Sequence, residues 1–245
     1  MGKDKLKVVL QKIVLCPKKI FDSLVRHVHY IDPKNNTHQR IMSSVVLIPL
    51  ALYAIFYSRS LFTFLAIMIA ILMTMEWIDI TKTAQDQKKW RLIGLVYILI
   101  PIYSVIKVRH YDVDILFWMF AVIWSTDIFA FFAGRALGGP KLAPKISPNK
   151  TWSGLGGGIV ASMMIGFMSS FMFRGSVVFF VVISALLAVI EQSSDLFESK
   201  VKRIFGVKDS GNIIPGHGGV LDRLDGMMFV APVVLILINL FSDKF

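Results

Sequence analysis

Long apolar runs separated by short polar connections dominate this chain. They fall at about residues 41–57, 60–80, 91–107, 115–136, 153–173, 176–196 and 227–243. Each is close to the roughly 17–25 residues that a helix needs to cross the hydrocarbon core of a bilayer. Several are short or closely linked, so the pattern predicts an all-α, polytopic integral membrane helical bundle with about seven transmembrane helices, within a range of seven to nine.

Residues 1–39 break the pattern. Their apolar residues (Leu6, Val9, Leu10, Ile13, then Ile20, Phe21, Leu24, Val25) fall mostly at helical spacing, and Pro17 separates two halves too short to span. The spacing predicts an amphipathic helix pair lying on the cytoplasmic leaflet, with a disordered basic arm as the alternative. No apolar core followed by a small-residue cleavage site marks a secretory signal. The predicted division is a basic extension, 1–39, and a membrane domain, 40–245.

Composition agrees with the runs: 55% of the 245 residues are hydrophobic, 19 of them Phe, and mean hydropathy is +0.65. The lone Cys16 excludes a disulfide framework. The net charge of +11 sits in short loops beside apolar runs, which points to anionic lipid headgroups and not to nucleic acid. With the N-terminus inside, 22 of the 27 Lys and Arg fall in cytoplasmic segments, as the positive-inside rule requires. This orientation predicts a multi-pass protein of the cell's inner (plasma) membrane.

One long polar stretch, Ser194 to Gly226, stands between two apolar runs. It holds Lys200, Lys202, Arg203, Lys208 and Arg223, the acids Asp195, Glu198, Asp209, Asp222 and Asp225, and the turn 215–219 around His217. Cations, together with backbone N–H groups freed by Gly216, Gly218 and Gly219, suit phosphate oxygens. Asp222 and Asp225, at i and i+3, share a face if the chain is helical there, and a hard cation such as Mg²⁺ takes carboxylate and phosphate oxygens. The competing reading is a solvated loop whose acids balance its bases.

A second polar loop, residues 134–154, sets Arg135, Lys141, Lys145 and Lys150 among helix-stopping Gly and Pro, on the same predicted side. Lys150 and the hydroxyls of Ser147 and Thr151 can serve phosphate or ribose; Trp152 can stack on a base or anchor at the interface. Ionisable residues inside the runs form a third set: Glu76, Asp79, Asp127, Glu191 and Asp195. A charge at the bilayer centre costs about 2.5–3.5 kcal/mol on insertion scales, so such groups tend to be paired or liganded. Glu191, Ser194, Asp195, Glu198 and Lys202 lie at steps of three or four, on one helical face. For Glu76, Asp79 and Glu198, a helix end at the headgroups is the bland alternative.

The order Ser199, Lys202, Arg203, Lys208, Asp209, Gly211, Pro215, His217, Gly218, Gly219, Asp222, Arg223, Asp225 resembles the signature of the phosphatidate cytidylyltransferases (CDP-diacylglycerol synthases). The Ser147–Trp152 element followed by Gly154, and Asp127 about two helical turns ahead of Gly134 and Arg135, resemble the same family. The resemblance implies CTP and phosphatidate as substrates, CDP-diacylglycerol and pyrophosphate as products, and chemistry on the cytoplasmic side. It implies Asp195 and Asp222 as carboxylates for Mg²⁺, with Asp225 as a third ligand and a second cation left open. Lys202, Arg203, Lys208 and Arg223 would neutralise phosphates, and His217 would meet the departing pyrophosphate or orient its turn. Asp127, Arg135, Ser147, Lys150, Thr151, Ser199, Gly218 and Gly219 would contact substrate. A homodimer is compatible with it. Two other readings stay open: another CTP-dependent lipid phosphotransferase, such as a polyprenol kinase, and a transporter whose pathway the buried acids line.

Overall fold

The computed structural model describes residue 45, residues 49–211 and residues 218–245. The chain divides into Met1–Leu47, of which only residue 45 is described, and Ile48–Phe245, which carries everything below. The predicted amphipathic pair, its boundary at residue 39, and His217 lie outside the described residues.

After a helical stretch at 49–57 come α1 (Arg59–Ile80), α2 (Gln87–Tyr111), α3 (Val113–Leu137), a hairpin of β1 (Lys141–Ala143) and β2 (Ser147–Thr151), then α4 (Trp152–Ser169), α5 (Val177–Ile204), the single turn α6 (Leu221–Leu224) and α7 (Met227–Leu240). Among the described residues α1 to α5 are long and apolar enough to cross a membrane, and α7 is a shorter apolar helix. Large apolar side chains such as Phe64, Leu95, Phe117, Trp124, Phe131, Met164 and Leu186 point outward. In water that belt would be an aggregation surface; in a bilayer it is the lipid-facing side of the bundle.

Several ends differ from the apolar runs: α2 begins at Gln87 and not at 91, α4 stops at Ser169 and not at 173, α7 stops at Leu240 and not at 243, and two helices run on. The third run was expected to stop at residue 107, but α2 continues to Tyr111 and turns into α3 through Asp112 alone, whose carboxylate accepts the Asp114 N–H at 2.6 Å. Lys107 and Arg109 are therefore helical, and Arg109 is buried. The sixth run was expected to end near 196, but α5 continues to Ile204. Its charged last turns have a buried face, so the helix has packing to follow beyond the apolar stretch. The predicted loop at 134–154 contains the two-stranded hairpin, pairing Lys141 with Thr151 and Ala143 with Ser147.

Small residues set how closely the helices approach. A methyl group on Gly154 would come within 2.8 Å of the Ala130 carbonyl, and one on Gly158 within 3.0 Å of Thr126. Gly154 and Gly158, four apart, thus form the seam that lets α4 lie against α3, as small residues do between membrane helices. Thr126 and Ser162 hydroxyls meet across that seam at 2.6 Å. Farther along, Gly166 sits against the Phe180 carbonyl and Ser184, drawing in α5. On the other flank the Trp77 ring of α1 fills the space left by Gly94 of α2 and donates its indole N–H to the Trp90 carbonyl at 2.8 Å. The Gly154 contact thus holds α3 and α4 together at the end where the hairpin lies, and Gly166 holds α4 against α5 at the opposite end.

Candidate active site

Thr151 ends β2 and starts α4: its hydroxyl oxygen accepts the Gly154 N–H at 3.0 Å, an N-cap that fixes where the hairpin meets the helix. The hairpin thereby covers one side of a cavity of about 500 Å³, lined by Asp127, Gly134 and Arg135 of α3, Lys141, Ser147, Asn149 and Lys150 of the hairpin, and Gln192 and Asp195 of α5. That volume suits a nucleotide-sized ligand. Lys150 is fixed at the α5 wall, paired with the Asp195 carboxylate and donating to Gln192 Oε1 at 2.8 Å. Arg135 is exposed beside the Phe131 ring. Three cations and two carboxylates around one opening can receive a polyphosphate and balance it.

From Asp195 the acids continue along α5. Glu191 and Glu198 are fully buried, and one oxygen of each, Glu191 Oε1 and Glu198 Oε2, has no hydrogen-bond partner among the described residues. Ser199 donates to Asp195 at 3.2 Å. Lys202 donates to Glu198 Oε1 at 2.9 Å and to Asp222 Oδ1 at 2.6 Å, joining α5 to α6. Burial would raise the Asp222 carboxyl, but Lys202 and the Ser210 N–H outweigh it and hold the group below the usual carboxylate range. Asp225 goes the other way. Burial, then the neighbouring Glu198 and Asp195, push its carboxyl well above that range, although the Gly226 N–H donates to it at 2.8 Å. The backbone oxygen of Asp225 accepts from the Ser194 hydroxyl.

The segment between α5 and α6 is anchored by carboxylates. Asp222 Oδ2 accepts the N–H groups of Ser210 at 2.9 Å and Gly219 at 3.1 Å. Gly218 has φ +84°, a conformation glycine adopts without strain, and a methyl on Gly219 would collide with the Ser210 hydroxyl. Glu76, reaching in from α1, accepts from Ser210 Oγ at 3.1 Å, Val220 N at 2.9 Å and Leu221 N at 2.8 Å.

Among the residues singled out in the sequence, the cavity gathers Asp127, Arg135, Ser147, Lys150, Thr151 and Asp195. A second group, Lys202, Asp222 and Asp225, lies where α5 meets α6, with Glu198 in electrostatic reach of both Asp195 and Asp222. Arg203 bonds the carbonyls of Ile146 at 3.3 Å and Val207 at 3.1 Å, tying the hairpin to α5; Lys208 and Arg223 are exposed. The Gly219 N–H, expected to face phosphate, donates to Asp222. Asp79 pairs with Lys82 on the surface, as a helix end should, whereas Glu76 and Glu198 are buried. Gln192 and Asn149 carried no mark of their own in the sequence and lie beside marked neighbours, while Glu76, marked only as an acid in an apolar run, meets partners 134 to 145 residues away.

Fold and site together define a polytopic helical membrane protein with a cationic cavity beside a carboxylate-rich helix face. Residues 90–241 match the cytidylyltransferase family. The chain is 42% identical over 218 residues to the phosphatidate cytidylyltransferase of Rickettsia bellii, covering 85% of this chain and 93% of that protein. It is 41% identical over 219 residues to that of Rickettsia felis (85% and 95%), and 42% identical over 178 residues to that of Brucella abortus (71% and 63%). The chain belongs to the cytidylyltransferase family, and it is a membrane nucleotidyltransferase.

Proposed function

We propose that the chain transfers CMP from CTP to phosphatidate, forming CDP-diacylglycerol and pyrophosphate. A phosphate-monoester oxygen of the lipid attacks the α-phosphorus of CTP, the bond from that phosphorus to the bridging oxygen breaks, and pyrophosphate leaves with the electron pair. The monoester is already ionised near neutral pH, so positioning and charge neutralisation carry the catalysis. The observation that carries this reading is the cavity itself, in which Arg135, Lys141 and Lys150 converge opposite Asp127 and Asp195.

In this reading CTP enters between hairpin and α5, with Lys150 and Arg135 on its phosphates. The lipid approaches from the bundle's flank. An apolar cleft of about 720 Å³ between α2, α5 and α7, lined by Val96, Ile100, Pro101, Phe197, Phe229 and Pro232, offers acyl chains a place. Tyr97 lines the same cleft and is in electrostatic reach of Glu198 and Asp225. Lys202, held between Glu198 and Asp222, keeps a cation where the two substrates would meet.

The donor chemistry fits a hard divalent cation. Among the described residues Glu198 presents a buried oxygen without a hydrogen-bond partner, and the facing carboxylates outnumber the lysines beside them. Among the described residues no three His, Cys, Asp or Glu converge as a ready-made site. Asp195 and Asp222, with Asp225, are the carboxylates we assign to Mg²⁺; Lys150 pairs with the first and Lys202 with the second, so the ion would have to displace these cations, and when bound it would supply polarisation of phosphoryl oxygens. The chain's own residues orient the substrates and exclude water. The lysine and arginine bias of the connecting segments supports a site on the cytoplasmic side of the inner membrane, next to anionic lipid.

The reading is tested with purified protein in detergent micelles, CTP and phosphatidate. It predicts one pyrophosphate released per CDP-diacylglycerol detected by mass spectrometry, with no release when either substrate is omitted. Pyrophosphate release without a cytidylylated lipid would contradict it.

A further inference from the structure

Glu76 is only 3% exposed, yet no basic side chain is paired with it among the described residues. Its partners are three donors from one distant stretch: the Ser210 hydroxyl on one side of residues 211–219, and the Val220 and Leu221 N–H groups on the other. Asp222 of α6 bridges the same stretch, accepting the N–H groups of Ser210 and Gly219. The fit leaves no slack. A methyl on Gly211 would come within 3.0 Å of Glu76 Oε1, and one on Gly219 within 2.9 Å of both Glu76 oxygens. Glycines on both sides thus give the carboxylate room to sit between them.

We propose that Glu76 is a positioning residue: a buried carboxylate on α1 that ties Ser210 to Val220 and Leu221 and thereby sets where Asp222 stands relative to Lys202. The role rests on the cytidylyl-transfer reading for its catalytic consequence, not for its structural one. A carboxylate suits the task because it accepts several N–H and O–H bonds at once, and charge-assisted bonds of this kind are the stronger ones. Holding Ser210 beside Val220 also keeps the Ser210 N–H on the Asp222 carboxylate. Glu76 thus links α1 to the stretch that carries Asp222, the partner of Lys202.

Two independent readouts test this. In hydrogen exchange, Glu76→Gln is expected to speed exchange of the Val220 and Leu221 amides about tenfold or more, while α2 amides keep their protection. Unchanged exchange at those two amides overturns the clamp whether or not the protein turns over CTP. In steady-state assays, Glu76→Gln is expected to lower kcat on the order of 10²-fold with the KM for CTP changed less than about threefold, the mark of lost positioning and not lost ground-state binding. A kcat close to wild type, or a loss that vanishes at a temperature where the variant is fully folded, overturns the catalytic role. Should Glu76→Gln not fold, Ser210→Ala removes one donor and leaves the carboxylate and both amides in place. It is expected to lower kcat about fivefold with little change in KM, and an unchanged kcat refutes the proposal. A wild-type protein lacking CMP transfer would instead sink the functional reading, and the exchange arm would still judge the clamp.

Discussion

Lys202 Nζ lies 2.6 Å from Asp222 Oδ1, and this one pair joins the last turn of α5 to a helix that begins beyond the whole glycine-rich segment. Lys202 also holds Glu198 at 2.9 Å, so the two partners of the cation are not equivalent to lose. Lys202→Met strands the buried Glu198 carboxylate, takes the cation from the half-buried Asp222, and is expected to cost about 3–5 kcal/mol together with turnover. Asp222→Asn leaves Lys202 its Glu198 partner and retains an acceptor oxygen, so it should cost about 1–3 kcal/mol. Thermal unfolding in detergent, run beside a CTP turnover assay, checks the order of the two.

Asp222 and Asp225 should give opposite pH dependences. The Asp222 carboxyl is depressed, so its stabilisation is present above the ordinary carboxylate value of about 4 and is lost as pH falls through the folded value. The Asp225 carboxyl is raised, so its contribution is present below that value and is lost as pH rises through the folded one. Asp225→Asn should therefore flatten the alkaline decline of the unfolding midpoint measured without divalent cation, and Asp222→Asn should flatten the acid limb. A midpoint that declines equally toward alkaline pH in Asp225→Asn would refute the assignment.

The cavity makes a prediction about which lysine of the hairpin matters. Lys150 lines it and pairs with Asp195, whereas Lys145 is exposed at the turn and lines nothing. Lys150→Ala is expected to raise the KM for CTP about tenfold or more, and Lys145→Ala to leave it unchanged. Initial-rate measurements over a range of CTP concentrations separate them.

The helix seam can be tested away from the chemistry. Gly158 faces Thr126 with a methyl-sized gap of only 3.0 Å, so Gly158→Val should overpack the α3–α4 contact and cost about 1–3 kcal/mol. At Gly156 nothing lies within 4 Å, and Gly156→Ala should be neutral or stabilising by up to about 1 kcal/mol, since alanine is the better helix former. Unfolding midpoints of the two variants report the difference.

Most of the helices were legible because apolar runs of bilayer length leave few alternatives, and the grouping of Asp127, Arg135, Ser147, Lys150 and Asp195 was legible through their motifs. Helix ends were not. The face from Glu191 to Lys202 was visible as a periodic pattern, but that the helix would continue to Ile204 depends on burial of Glu198 and Lys202 against later residues. The clamp at Glu76 was out of reach for the same reason, since a single acid at the end of an apolar run looks like Asp79, which stays on the surface with Lys82. Gly219 shows how much a motif leaves unsaid about local packing. The glycine reads as a phosphate donor, yet its N–H is spent on Asp222 and its missing side chain makes room for Ser210 and Glu76.

The reading of the cavity as a cytidylyl-transfer site is tested most directly by the fate of the CTP phosphates. Purified protein is given phosphatidate with CTP labelled at either the α- or the γ-phosphate, and the lipid extract is counted. The account predicts that α-label enters lipid and γ-label leaves as pyrophosphate. Label in lipid from γ-labelled CTP, with none from the α-position, would make the protein a lipid kinase and contradict it.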